Sequence, residues 1–155
     1  MLEGEYKLMG LAGMGTPRFA SEILGASFYK NKNELLSLNR DEVNYHQALR
    51  GVFNLPKLKK LIGPPRASSY DLNCLDADVA ASIQRVFEDV IVDTLEKSIG
   101  YSKLSGSTLG IVGGCAQNIM ANARIAQHFG LANVLVPPAP HDAGCCVGAA
   151  LLASN

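Results

Sequence analysis

The sequence predicts an α/β fold, a mixed sheet with flanking helices, and three observations carry that prediction. First, Thr108-Leu109-Gly110-Ile111-Val112 is a short apolar run with β-branched residues that ends in Gly113-Gly114, as a buried strand entering a tight turn does. Second, a helix through Asn118 and Asn122 follows that turn directly. Third, another apolar strand, Val134-Leu135-Val136, leads through Pro137-Pro138-Ala139-Pro140 to Asp142-Ala143-Gly144, which opens a small-residue helix. Two strand-to-helix turns of this kind fall side by side at the carboxyl edge of an open sheet, where such folds bind ligands.

The remaining elements follow in chain order. Glu5 to Leu11 is predicted as a short helix, stopped by Gly13-Met14-Gly15-Thr16-Pro17. Arg18 to Leu24 gives a further turn or two of helix, ended by Gly25. Ala26-Ser27-Phe28-Tyr29-Lys30 and Glu34-Leu35-Leu36-Ser37-Leu38 flank the polar Asn31-Lys32-Asn33, which predicts a β-hairpin. Asp41 to Gly51 has an acidic first turn and reads as a helix. From Asn54 to Tyr70, Pro56, the lysines and Gly63-Pro64-Pro65-Arg66 read as an irregular, ordered connector. Asp76 to Ser98 is the strongest helix of the chain. Val79, Ile83, Val86, Phe87, Val90, Ile91 and Leu95 recur at three- and four-residue spacing, Asp76 and Asp78 favour its N-terminus, and Gly100 ends it. No internal repeat or low-complexity tract is present.

Length and composition bound the function. A chain of 155 residues can bury a real core, and 48% hydrophobic residues fit a folded domain. Fourteen basic and fourteen acidic residues cancel, which argues against a nucleic-acid surface and leaves little repulsion to oppose self-association. Cys74, Cys115, Cys145 and Cys146 form no CxxC metal pair and read as small buried residues in a reducing compartment. Glu3 and Glu5 occupy the place of a basic signal-peptide region, and the longest apolar run, Ala143 to Ala153, is too short to span a bilayer. A cytoplasmic protein without a membrane partner is expected.

The glycine turn supplies the candidate site. Two glycines before a helix let backbone N–H groups approach an anion, and the helix N-terminus adds a favourable dipole, a pattern suited to a nucleotide. The structural alternatives are equally concrete. Gly113-Gly114 need only allow a tight turn, and Asn118 and Asp142 need only cap helices. Cys115, inside the turn, is the thiol placed to react if a helix N-terminus favours its thiolate. Lys57, Lys59, Lys60 and Arg66 form a small basic cluster, expected to be solvated.

Five segments, taken together, resemble a known family: Glu5-Tyr6-Lys7-Leu8-Met9-Gly10-Leu11-Ala12, Gly63-Pro64-Pro65-Arg66, Asp78-Val79-Ala80-Ala81-Ser82-Ile83-Gln84, Gly113-Gly114-Cys115-Ala116-Gln117-Asn118 and Asp142-Ala143-Gly144. They occur in the order seen in the O-carbamoyltransferases of nodulation-factor and antibiotic biosynthesis. The resemblance implies an actin-like, ribonuclease-H-like half-domain of the sugar-kinase superfamily. It implies carbamoyl transfer from carbamoyl phosphate to a hydroxyl through a carbamoyl-adenylate, with ATP and a divalent metal, iron or magnesium. Lys7, Gly113, Gly114 and Asn118 would then contact the nucleotide, and Asp142 would be a metal ligand, a role that suits a hard anionic oxygen.

The chain also departs from the family pattern. Gly13-Met14 stands where Pro-Tyr is usual, Cys115 and Gln117 where Val and an apolar residue are usual, and Pro140-His141 where Ala/Gly-Gly is usual. The family's metal-binding histidine pair is spaced three residues apart, and His46, His128 and His141 have no such spacing. The chain begins where the second half of the family's actin-like domain begins, which predicts a truncated domain without the adenylate-forming region. Two function classes therefore stand. One is a nucleotide-binding fragment acting with a complementary carbamoyltransferase half. The other is a self-associating remnant without enzymatic activity, covering its exposed face as a homo-oligomer.

Overall fold

A computed structural model describes residues 4–31, 36–40, 56–63 and 71–154. The chain divides into two compact units, Met1–Thr94 and Leu95–Asn155. Among the described residues, the single mixed sheet expected from sequence is instead two separate two-stranded sheets, one antiparallel and one parallel. The fold is α/β, with small sheets and several helices.

In the first unit, α1 (Glu5–Ala12) and α2 (Ala20–Ser27) precede the hairpin of β1 (Phe28–Lys30) and β2 (Leu36–Leu38). The pair is antiparallel, with Phe28 opposite Leu38 and Lys30 opposite Leu36. Asn31 Nδ2 donates to Ser37 Oγ at 3.0 Å, and Asn39 N–H donates to the Ser27 carbonyl at 2.8 Å, so the ladder is closed at both ends. α2 runs past Gly25, where the sequence suggested a stop. Ile23, Ala26 and Ser27 are buried on that turn, and their packing outweighs the roughly 1 kcal/mol that a helical glycine costs. Ile23, Ala26 and Val86 form the core of this unit, flanked by Phe19, Leu24, Phe28, Leu38, Leu61 and Ile62.

The connector expected over Asn54 to Tyr70 contains a helix, α3 (Pro56–Ile62). Pro56 is its first residue, a position that tolerates proline because the missing N–H would have no helical partner there. The helix predicted over Asp41 to Gly51, His46 and most of the Gly63-Pro64-Pro65-Arg66 motif lie outside the described residues.

The long helix, α4 (Cys74–Ser98), forms as predicted. Its start is a reciprocal cap: Asn73 Oδ1 accepts the Leu75 and Asp76 N–H groups, and Asp76 Oδ2 accepts the Asn73 N–H at 2.9 Å. The buried face differs from the predicted stripe, of which only Val86 is buried and Ile83 is exposed. The buried positions near its start are small, Ala77, Ala80, Ala81 and Ser82, while Gln84, Val86 and Val92 are buried farther along. The segment between α1 and α2 explains this. A Cβ on Gly15 would collide with the Ala77 carbonyl, Thr16 N–H donates to Asp78 Oδ1 at 2.8 Å, and Arg18 Nε lies 2.8 Å from Asp78 Oδ2. Phe19 N–H donates to Ser82 Oγ at 3.1 Å. So tight a strap leaves no room for large side chains beneath it.

The second unit holds α5 (Tyr101–Leu104), β3 (Thr108–Gly110), a 3₁₀ turn (Gly114–Gln117), α6 (Ile119–Phe129), β4 (Asn133–Leu135) and α7 (Gly144–Ala153). β3 and β4 are parallel, with Leu109 opposite Val134, and α6 is the crossover such pairing requires. Leu104, Ala116, Ala121, Ile125 and Phe129 are buried. Gly130 ends α6 in the left-handed region, φ 56 and ψ 44, and its N–H and that of Leu131 both return to the Ala126 carbonyl. The 108–112 run is not the buried strand expected. With one neighbouring strand among the described residues, only its alternate residues are shielded: Leu109 and Ile111 are half-buried, Thr108 and Gly110 are exposed, and Val112 is 73% exposed. None of the described helices is long and apolar enough to cross a membrane.

Candidate functional site

The site lies where the chain leaves β3 and β4, both within the second unit. Ile111 N–H donates to the Leu135 carbonyl at 2.9 Å, carrying the pairing one residue past the strands. The first loop then turns at Gly113, whose φ 95 and ψ 168 are essentially confined to glycine. The helix does not follow at once, as the sequence suggested; the 3₁₀ turn intervenes. Ala116 is fully buried beneath it, and Asn122 Nδ2 donates to the Ala116 carbonyl at 2.8 Å. Asn118 Oδ1 accepts the Ala121 N–H at 3.0 Å, so Asn118 is the N-cap of α6.

The second loop is stiffened by Pro137, Pro138 and Pro140 and closes on itself. Gly144 N–H donates to the His141 carbonyl at 2.8 Å, and Ala143 N–H donates to His141 Nδ1 at 3.2 Å. A Cβ on Gly144 would sit 2.6 Å from the Ala139 carbonyl oxygen, so only glycine fits. α7 starts after Ala143, and Asp142 contributes its carbonyl to the first turn while its side chain stays exposed. The loops meet directly: Gly113 N–H donates to the Pro140 carbonyl at 2.6 Å.

Of the residues singled out from sequence, Gly113, Gly114, Asn118 and Asp142 all belong to these two facing loops. Lys7 is on α1 in the first unit, exposed, with Nζ 5.7 Å from the Tyr6 ring centroid. The amides of Gly114 and Cys115 have no partner among the described residues, which suits an anion. The chemistry of the second loop is the opposite, a carboxylate beside backbone carbonyls. Asp142 alone does not make a metal centre. No cluster of three or more His, Cys, Asp or Glu capable of holding a metal occurs among the described residues, and His141 Nδ1 is already engaged.

Several expectations change. All four cysteines are exposed in the chain rather than buried, because three sit at loop or helix starts outside the core and Cys74 is the first residue of α4. Lys59 and Lys60 are solvated on α3 as predicted, while the side chain of Lys57 and all of Arg66 lie outside the described residues. Pro140 stands out in the sequence only as a departure from the family pattern, with no contact implied, although the Pro-rich stretch before Asp142 signals a stiff loop. Asp78 was read for its charge near a helix N-terminus, and its larger part is holding Thr16 and Arg18.

Residues 2–151 match the family model described as "Carbamoyltransferase N-terminus". The chain is 32% identical over 152 residues to nodulation protein NolO of Bradyrhizobium diazoefficiens, covering 97% of this chain and 25% of that protein. It is 32% identical over 152 residues to nodulation protein NolNO of Sinorhizobium fredii, covering 97% and 20%. It is also 37% identical over 149 residues to the uncharacterized protein sll1178 of Synechocystis, covering 96% and 24%. The chain thus spans about a quarter or less of the length of the curated relatives it matches.

Proposed function

We propose, since this chain belongs to the carbamoyltransferase N-terminus family, that it supplies part of an actin-like nucleotide cleft in an O-carbamoyltransferase. The observation that carries this reading is the contact of the two loops, Gly113 N–H on the Pro140 carbonyl at 2.6 Å. It sets the unpartnered amides of Gly114 and Cys115 on a loop that faces the one bearing Asp142. Amides of this kind hold phosphate oxygens, and Asn118, while capping α6, would reach the nucleotide at the helix start.

The reaction is transfer of a carbamoyl group from a carbamoyl-adenylate to a hydroxyl acceptor. The acceptor oxygen bonds the carbamoyl carbon, the carbon–oxygen bond to AMP breaks, AMP leaves with the electron pair, and the hydroxyl proton passes to solvent. Within this scheme the chain's own residues bind and orient the nucleotide. Any divalent ion, iron or magnesium, would need further ligands besides Asp142, from the same polypeptide or from a complementary one.

The test is titration of the protein with ATP and ADP, read by calorimetry. Millimolar or tighter binding, weakened at least tenfold in Gly114→Val, supports the cleft. Asn118→Ser, which keeps a capping oxygen, separates loss of a ligand contact from loss of the helix. No heat of binding up to several millimolar nucleotide sinks the reading.

A second reading rests on α7. No residue of this helix is buried, and Val147, Leu151 and Leu152 are 52%, 63% and 81% exposed. An apolar helix left uncovered is what a self-associating module without catalysis would use to form a homo-oligomer. Sedimentation at micromolar concentration decides it: a monomer rules out self-association.

A further inference from the structure

One main-chain hydrogen bond joins the two loops, and the surrounding geometry limits what each residue of the glycine turn can do. Gly113 donates to the Pro140 carbonyl at 2.6 Å, below the usual N–H···O range, and its own carbonyl accepts Ala116 N–H at 3.0 Å. Both polar groups of Gly113 are therefore engaged inside the protein. The amides of Gly114 and Cys115 have no partner among the described residues. A Cβ at Gly113 would meet no atom within 4 Å, so conformation rather than space demands glycine there. Gly114 is equally open but has no positive φ, so it tolerates a side chain.

The other side of the bond is rigid. Three prolines fix φ at 137, 138 and 140, and Ala139 is backed by the close approach of Gly144. Ala143 and Gly144 both donate to His141, which braces the stretch between Pro140 and α7. A displacement of Gly113 therefore cannot be absorbed locally at Pro140. It has to move the loop as a body.

We propose that Gly113 is a positioning residue, whose amide ties the two loops into one coupled element. A ligand oxyanion held on the Gly114 and Cys115 amides is then felt at residues 139–144, across the bond. The identity of that ligand as a nucleotide rests on the reading above; the tie itself does not.

The test uses the isotope-labelled protein and three readings. In the free protein, the Gly113 amide exchanges with solvent at least tenfold more slowly than those of Gly114 and Cys115; equal rates overturn the tie. In Gly113→Ala, amide shifts change at Ala139, His141, Ala143 and Gly144, whereas in Gly114→Ala the changes stay within residues 112–117. Changes confined to the first loop in both variants overturn the coupling. Finally, ADP shifts the Ala143 and Gly144 resonances of the unmodified protein but not of Gly113→Ala, and the loss of that remote response while first-loop shifts persist is something a merely destabilised fold does not give. Remote shifts that persist in Gly113→Ala overturn the proposal. Absence of any ADP response, with slow exchange at Gly113 intact, removes the nucleotide and leaves the tie standing on the first two readings.

Discussion

α6 and α7 each follow a strand of the same parallel pair, yet they end in different circumstances. α6 buries Ala121, Ile125 and Phe129, is capped by Asn118 at one end, and stops at a left-handed Gly130 at the other. α7 buries nothing, and no side chain caps it. Both helices are short, and α7 is also the poorer helix former, with Gly144 and Gly148 where α6 has no glycine. The larger difference is in what lies beneath. α6 is the crossover of the β3–β4 pair and is covered by its own unit, whereas no residue of α7 is buried and its Leu151 and Leu152 are largely exposed. A helix of this composition in water takes its stability from packing more than from propensity. α6 should therefore hold the unit together, and α7 should contribute mainly through whatever comes to cover it.

Substitutions at four positions test that contrast, the largest effect first. Phe129 is fully buried, with its ring 4.7 Å from that of His128 and 5.8 Å from that of Tyr101. Phe129→Ala should remove about 3–5 kcal/mol in urea unfolding, enough to unfold a marginal domain. Asn118→Ala should cost about 1 kcal/mol through loss of the α6 cap, and Asn118→Ser should restore most of it in the same assay. Glu96 lies 3.3 Å from His128 Nε2 at an exposed edge, and Glu96→Gln should lower stability by less than about 1 kcal/mol in the same assay. Leu152→Ala, on the uncovered helix, should shift unfolding by no more than about 0.5 kcal/mol. A large loss at Leu152 would show that α7 is covered in solution, and the contrast would then dissolve.

Much of this arrangement was legible beforehand, for physical reasons. The two strands stood out because each is a short apolar run with β-branched residues bounded by turn residues, Gly113-Gly114 after the first and Pro137-Pro138 after the second. The hairpin stood out because two alternating runs flank a polar triplet. What was missed has equally specific causes. Pro56 was taken as a breaker, though at the first position of a helix it removes nothing. Gly25 was taken as a stop, though packing at Ile23 and Ala26 carried the helix through it. The predicted apolar stripe of α4 is only partly buried, with Val86 in the core and Val90 packed against it, because the strap from Gly15 to Phe19 selects small residues near the helix start, and a close approach between distant segments leaves no periodic trace. The site itself was half visible: glycines, Asn118 and Asp142 mark the loops, but no sequence rule reveals that Gly113 and Pro140 bond to each other.

The strap over α4 has a consequence for how this chain can vary. Position 15 lies against the Ala77–Asp78 peptide unit, so a side chain there would meet backbone rather than a flexible side chain able to give way. In a library randomised at residues 13–19 and selected for folded protein, glycine should be recovered almost alone at 15. Residue 14, whose methionine is 81% exposed, should drift freely beside it.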